Sequence, residues 1–296
     1  MLIRCDASSK IGTGHLMRDF VLAERFSTSE VAFATRALSG NLDALIAAKG
    51  FAHHSLRDNK PKRLIKLLKK NNYDLLIIDH YGIDAAFERE IKEALPELTL
   101  MVLDDTYEKH HCDILLNHNV YAKKKHYKDL VPKKTRLLCG AKHTLLREEF
   151  LAPQTPSEKD SILIAMGGSD SQNLTLKILK SLPKKFALEI NVITTNANKK
   201  LQKLQAFAKE NKNATLHIQT KEVAKLALRA HFAIITPSGF ANELYALKTP
   251  FIAIQSAKNQ EFMSAFLSKR GFGVLEKFSK KAFVSLFEAE TRKALL

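Results

Sequence analysis

The chain is predicted to be an α/β protein built from two doubly wound parallel-sheet domains in tandem. Three observations lead there. Short apolar runs bounded by polar residues, such as Tyr73–Asp79, have the character of strands buried on both faces of a parallel sheet. Amphipathic segments of helical period alternate with those runs along the chain. The alternation then restarts after a proline-containing stretch, so each half opens with a strand and a glycine loop. Two such halves, facing each other across a cleft, place a ligand at the C-terminal edges of their sheets.

In the first half Leu2–Arg4 is a strand and the loop Asp6–Gly14 follows. A helix over His15–Phe26 then presents Leu16, Phe20, Leu22, Ala23 and Phe26 as its apolar face. Val31–Thr35 is a strand; Leu42–Lys49, Lys62–Lys70 and Ala85–Leu95 are helices; Tyr73–Asp79, Thr99–Asp104 and the shorter Ile114–Asn117 are strands. Residues 151–160 carry Pro153, Pro156 and little that can pack. They are predicted to link an N-terminal domain, residues 1–150, to a C-terminal domain, residues 161–279. The second half runs strand Ile162–Met166, helix Asn173–Leu182, strand Glu189–Ile193, helix Lys200–Asn211, strand Thr215–Ile218 and helix Glu222–Ala230. Strand Phe232–Ile235, helix Phe240–Leu247 and strand Phe251–Ile254 complete it, and residues 280–296 form a separate amphipathic helix.

Composition narrows the class. With 296 residues, 45% of them hydrophobic, the chain has enough apolar material for two cores and lacks the polar bias of disorder. No apolar run approaches the ~20 residues of a membrane span, and Met1–Asp6 becomes charged too soon for a signal peptide. Cys5, Cys112 and Cys139 are scattered and make neither a disulfide framework nor a metal-binding pair. They are expected to be small core residues of a cytoplasmic protein with no membrane partner. The net charge of +16 fits either nucleic-acid binding or attraction of an anionic small molecule such as a diphosphate. The lysines are spread through amphipathic helices, and no RNP motif, zinc finger or basic arm is present, so nucleic acid is not expected as a partner.

Three loops carry candidate chemistry. In Asp6–His15 the glycines at 12 and 14 let a ligand approach the backbone, and the helix that follows offers unpaired N–H groups. This is not the dinucleotide G-x-G-x-x-G, because Met17 stands where the last glycine would be. His15 begins the helix. The positive end of a helix disfavours an imidazolium, and a neutral imidazole is what a general base needs. A histidine there can equally do no more than hydrogen-bond its turn. The second loop, Met166–Asp170, joins two glycines to Ser169 and Asp170 ahead of a helix, which suits a diphosphate or, more simply, a tight turn with a helix cap. In the third, Thr236–Glu243, a first-turn carboxylate would stabilise its own helix and also accept hydrogen bonds from a ribose diol. Asp79–Gly82 and Asp104-Asp105 fall at strand ends, the functional edge of such sheets. A metal at Asp104-Asp105 is disfavoured because no D-x-D pattern accompanies it, and Asp104 is better placed to fix loops. The pairs His53-His54 and His110-His111 diverge on any regular backbone and are expected at the surface.

Together these stretches resemble a known family. The pattern Arg4-x-Asp6-x-Ser8-x-x-Ile11-Gly12-x-Gly14-His15-x-x-Arg18 is similar to the opening of the PseG-type UDP-sugar hydrolases of pseudaminic acid biosynthesis. Ile77–Gly82, His111–Asn117, Leu146–Phe150, Met166–Asp170 and Lys258–Glu261 are similar too, in the same order, and the likeness spans roughly residues 1 to 275. The resemblance implies a GT-B-like architecture of two Rossmann-type domains, related to MurG. It implies hydrolysis of UDP-2,4-diacetamido-2,4,6-trideoxy-β-L-altropyranose to UDP and the free sugar, without metal or cofactor, in a route that serves flagellin glycosylation. His15 would be the base that activates water, and Tyr81 and Asn259 would line the sugar site. Gly167, Gly168, Ser169, Asp170 and Glu243 would hold UDP. Asp6 and Gly14 in the first loop and Ser238 and Asn242 in the third complete the expected substrate contacts. A single base suffices if water attacks opposite UDP with inversion, in contrast to the carboxylate pair of ordinary glycosidases. The UDP-sugar is the only partner expected, the chain acting as a monomer. A GT-B glycosyltransferase that passes the sugar to an acceptor remains open, since it needs the same base and the same nucleotide site.

Overall fold

Successive strand residues point to opposite faces of a sheet, so an apolar run buried on both faces needs a helical layer on each side. The computed structural model, which describes residues 1–8, 11–26, 30–151, 158–183 and 188–295, has that layering in two separate units, Met1–Leu145 and Leu146–Leu296. Ser9 and Lys10 of the first loop, most of the expected linker (152–157) and Leu296 lie outside the described residues.

In the first unit the strands are β1 (Leu2–Cys5), β2 (Ala32–Arg36), β3 (Ala52–Leu56), β4 (Leu75–Asp79), β5 (Thr99–Leu103), β6 (Ile114–Asn117) and β7 (Arg136–Cys139). All pair in parallel, in the order β3-β2-β1-β4-β5-β6-β7. Ile3, Phe33, Ile77 and Met101 face α1 (Gly14–Ala23), whose Leu16, Phe20 and Leu22 cover them. Leu2, Ala34, Ile78 and Val102 face the other way, toward Leu64 and Leu68 of α3 (Pro61–Lys70) and Ile91 of α4 (Ala85–Ala94). A short α2 (Asp43–Ala48) adds Ile46 to the first of these layers.

The second unit opens with α5 (Glu148–Leu151). Its strands β8 (Ser161–Ala165), β9 (Glu189–Thr194), β10 (Ala214–Ile218), β11 (Ala230–Ile235), β12 (Phe251–Ile254) and β13 (Gly273–Leu275) pair in parallel as β10-β9-β8-β11-β12-β13. Between them run α6 (Leu174–Leu179), α7 (Leu201–Glu210), α8 (Val223–Arg229), α9 (Gly239–Leu247) and α10 (Glu261–Lys269), with α11 (Lys280–Leu295) last. The division falls ahead of residue 150 because Leu146 and Phe150 pack against Val223, Ala224 and Phe240 of the second unit. The C-terminal helix is core: Phe283 and Phe287 are buried with Phe232, Ile234 and Ile252. No helix among the described residues is long and apolar enough to cross a membrane.

The strands not expected from the sequence, β3, β7 and β13, are all sheet edges. An edge strand pairs on one side only and needs no continuous apolar run, and β3 reads Ala-His-His-Ser-Leu. The helix α10 was also not expected. The helical segment Asn173–Leu182 is shorter than its pattern, covering Leu174–Leu179. Cys5 and Cys112 are buried as expected, and burial pushes both thiols up, away from reactive thiolates.

The expectation of surface histidines fails for His110. Its Nδ1 lies 2.7 Å from Oε1 of the fully buried Glu88, and Asp104 faces its other nitrogen. Burial opposes the imidazolium, but the nearby Asp104 carboxylate and the hydrogen bond to Glu88 outweigh it and push His110 up to about 9. An ordinary histidine titrates near 6.5 in the unfolded chain. The stabilisation is therefore full below about pH 6.5 and lost as pH rises through about 9, an effect of about 3 kcal/mol. Urea unfolding from pH 6 to pH 10 should show wild type losing most of its advantage over His110→Gln across that window; a pH-independent difference would contradict the pairing.

Candidate active site

A parallel sheet in this strand order has a crevice where the chain reverses its direction of travel, between β1 and β4. The loops leaving those strands diverge, and the side chains at their mouths converge. After β1, Ser8 and Gly12 exchange backbone hydrogen bonds, Gly12 taking φ +87°, and Ser8 Oγ accepts from the Ile11 N–H at 2.9 Å. This tight loop delivers His15 as the second residue of α1. After β4 comes Asp79.

The two meet. His15 Nδ1 lies 2.6 Å from Asp79 Oδ1, while Arg18, one turn further along α1, donates through Nε to Asp79 Oδ2 at 2.6 Å and through Nη2 to Oδ1. Arg18 Nη2 is also 3.2 Å from His15 Nδ1. A guanidinium only donates, so Asp79 accepts from both and fixes the proton on His15 Nδ1. That tautomer leaves Nε2 as the basic nitrogen. Arg18 Nη1 extends the chain to Asp105 at 2.9 Å, and Asp105 Oδ1 accepts from Tyr81 OH at 2.8 Å. The Tyr81 ring returns to His15 edge-on, 4.6 Å between centroids. Asp79 is 1% exposed, His15 8% and Tyr81 54%, so the cluster runs from a buried carboxylate to an accessible aromatic.

Burial alone would raise the Asp79 carboxyl, but the charge of Arg18 and the contact with His15 hold it well below the usual range. Asp79 and Arg18 thus stay an ion pair. Two further groups near them are shifted toward their uncharged forms. Asp19, buried on α1 with neither oxygen hydrogen-bonded among the described residues, is pushed well up by burial and by the Asp79 charge. His118, buried just after β6, is pushed down to about 3 by burial and by Arg18.

Asp6, expected among the substrate contacts, is instead a buried tie. It takes Arg4 and Arg36 on both oxygens and His80 Nε2 at 2.9 Å, joining the ends of β1 and β2 to the loop after β4. Asp104 fixes its loop, as expected, by accepting from Thr106 N, Tyr107 N and Tyr127 OH. Gly14 starts α1 with ordinary backbone geometry, and a Cβ there would meet nothing within 4 Å among the described residues. Neither packing nor φ demands glycine at that helix start, where unpaired N–H groups point outward.

In the second unit the crevice lies between β8 and β11. Gly167 takes φ +84°, and a Cβ on Gly168 would come within 3.0 Å of Thr195 Cγ2, so this loop is glycine for turn geometry and packing. Ser169 follows at the loop's tip. Asp170 corrects its expected role: the carboxylate is turned inward and caps α6, accepting from Leu174 N at 2.7 Å and Thr175 N at 3.0 Å. After β11, Ser238 N donates to Thr236 O and Ser238 precedes α9, in which Asn242 is buried. Glu243 lies beyond the first turn, so the helix dipole does little for it. It is 6% exposed and held by a two-point contact: Arg147 Nε to Oε1 and Nη2 to Oε2, both 2.7 Å. Asn259 is exposed in a short 3₁₀ turn, Lys258–Gln260.

A UDP-2,4-diacetamido-2,4,6-trideoxy-β-L-altropyranose hydrolase of Campylobacter jejuni is 41% identical to the chain over 280 residues, which is 94% of this chain and 99% of that relative. The chain belongs to this hydrolase family. An uncharacterised protein of Methanocaldococcus jannaschii is 32% identical over 200 residues, 64% of this chain and 41% of its own length. No family model matches. Among solved structures, MurG of Acinetobacter baumannii superposes with a TM-score of 0.64 at 12% identity, covering 100% of this chain and 91% of that one. The spinosyn rhamnosyltransferase SpnG gives 0.61 at 13%, covering 99% and 91%. At those identities the likeness is one of fold, and the fold is GT-B.

Sequence reasoning placed His15 and Tyr81 on one strand edge but gave no role to Asp79, Arg18 or Asp105. The available signal was an acidic residue closing a fully apolar strand. Removing the Asp79 charge leaves Arg18 buried with half its pairing, which costs about 3 kcal/mol. Asp79→Asn should show that loss in urea unfolding; unchanged stability would mean that Asp79 does not organise the cluster.

Proposed function

We propose that the chain hydrolyses UDP-2,4-diacetamido-2,4,6-trideoxy-β-L-altropyranose to UDP and 2,4-diacetamido-2,4,6-trideoxy-L-altrose, with His15 as the general base. The observation that carries this is the 2.6 Å contact from His15 Nδ1 to Asp79 in a chain 41% identical to a hydrolase of that name. With Nδ1 committed to Asp79, Nε2 takes a proton from water. The oxygen of that water bonds to the anomeric carbon as the carbon–oxygen bond to UDP breaks, and the electron pair leaves with the diphosphate. One base and one face of attack give inversion. Asp79 steadies the imidazolium that forms, and Arg18 keeps Asp79 from taking the proton itself.

In this reading Tyr81 and Asn259 contact the sugar, and the Gly167–Ser169 loop takes the diphosphate on backbone N–H groups, with Ser238, Asn242 and Gly239 at the start of α9 beside it. A Cβ at Gly239 would meet nothing within 4 Å among the described residues, as at Gly14, which supports close approach of a ligand to both helix starts. Glu243 accepts from the ribose diol. UDP is a good leaving group, its charge stabilised by those N–H groups, so the chemistry calls for no second carboxylate and no metal. The positive net charge favours capture of the diphosphate. The scattered thiols fit a reducing cytoplasm, and in this reading the chain works as a monomer in the synthesis of pseudaminic acid for flagellin glycosylation. Transfer to an acceptor, the competing reading, finds less support in a family named for hydrolysis.

Incubation with the UDP-sugar and no acceptor should release UDP. His15→Ala should lower turnover by roughly 10²–10⁴-fold while leaving the Kd for UDP nearly unchanged. No UDP release by the wild type, or a wild-type rate in His15→Ala, would contradict the assignment.

A further inference from the structure

The segment Leu146–Phe150 has no part in the chemistry above, yet it carries the side chain most firmly attached to Glu243. Arg147 is held on three sides. Its fork donates to both oxygens of Glu243 at 2.7 Å, its Nη1 lies 2.9 Å from Glu149 Oε1, and its guanidinium rests 4.8 Å from the centroid of the Phe150 ring. Glu149 is itself anchored, accepting from the Ala224 N–H at the start of α8 at 3.0 Å. A surface pair would not be built this way.

Consider what the fork does to the carboxylate. Glu243 is buried beyond the reach of the helix dipole, and burial pushes its carboxyl up, toward the protonated form. Arg147 is the group that opposes this. A carboxylate offers about four acceptor sites in its plane, two on each oxygen. A two-point guanidinium contact takes one on each and locks the plane. The Arg147 backbone N–H also donates to this carboxylate, and the acceptor capacity that is left lies in the locked plane, where the hydroxyls of a ribose can meet it.

We propose that Arg147 is a positioning residue for nucleotide selection, fixing Glu243 so that it recognises the 2′ and 3′ hydroxyls of a ribonucleoside diphosphate. The proposal rests on the reading of Glu243 as the ribose ligand. It also explains why an arginine stands here. A lysine keeps the charge but has no planar fork, and it would leave the carboxylate free to rotate.

The test is the ratio of Kd values for UDP and 2′-deoxy-UDP, measured by titration calorimetry on the full chain. Loss of one hydrogen bond to a charged acceptor corresponds to tenfold or more, so wild type should prefer UDP by about that factor. Glu243→Gln should abolish the preference. Arg147→Gln and Arg147→Lys should both reduce it to within about threefold, and with the UDP-sugar they should raise KM far more than they lower kcat. A ratio is not moved by general loss of folded protein, and Arg147→Lys supplies the measurement if the glutamine variant does not fold. Loss of the preference in Glu243→Gln with full retention in both Arg147 variants would overturn the role of Arg147. An unchanged ratio in Glu243→Gln would overturn the ribose reading beneath it.

Discussion

Asp79 is a carboxylate closing an apolar strand and buried from solvent, and the first unit is arranged around that fact. A buried carboxylate survives ionised only when cations and donors surround it. Here they come from one face of one helix: His15 and Arg18 stand three residues apart on α1 and reach the same carboxylate from adjacent positions. The satisfaction of Asp79 therefore fixes the ring of His15, its tautomer and the direction of its second nitrogen. Further inward, burial and the Asp79 charge push the Asp19 carboxyl up, and burial and Arg18 push His118 down to about 3. Arg18 is the cation of this cluster, and Asp79 and Asp105 are the carboxylates it binds.

The two units repeat one topology and fill its crevice differently. In the first, the strand order β3-β2-β1-β4 brings titrating side chains together at the switch point. In the second, the equivalent order β10-β9-β8-β11 brings together glycines, helix starts and one carboxylate held by a guanidinium. In the proposed function, the former serves proton transfer and the latter a diphosphate with its ribose. The same scaffold supplies both because the crevice is a property of strand order, whereas the chemistry is a property of the few residues at the loop mouths.

How much of this was legible depended on range. Central strands such as Leu75–Asp79 and Phe232–Ile235 were plain from their apolar runs, because they are buried on both faces; β3, β7 and β13 were not, because edges carry no such constraint. His15 and Tyr81 could be read from loop chemistry and family likeness. The bonds that organise the two sites join residues far apart in the chain, 61 positions for Arg18–Asp79 and 96 for Arg147–Glu243, and no local pattern reports those. Acidic residues misled in a consistent way. Asp6 and Asp170 look like ligand contacts by position, yet their carboxylates turn inward to satisfy arginines or a helix start. His110 looked exposed because adjacent histidines diverge, and divergence sent one of them into the core beside Glu88.

The central claim is that one histidine, oriented by one buried carboxylate, directs water to carbon and not to phosphorus. It is tested most directly by letting the enzyme hydrolyse the UDP-sugar in water enriched in oxygen-18, then locating the label by mass spectrometry and the first-formed anomer by NMR. The account predicts label in the sugar, none in UDP, and an anomer opposite to that of the substrate. Label in the diphosphate, or a retained configuration, would contradict it.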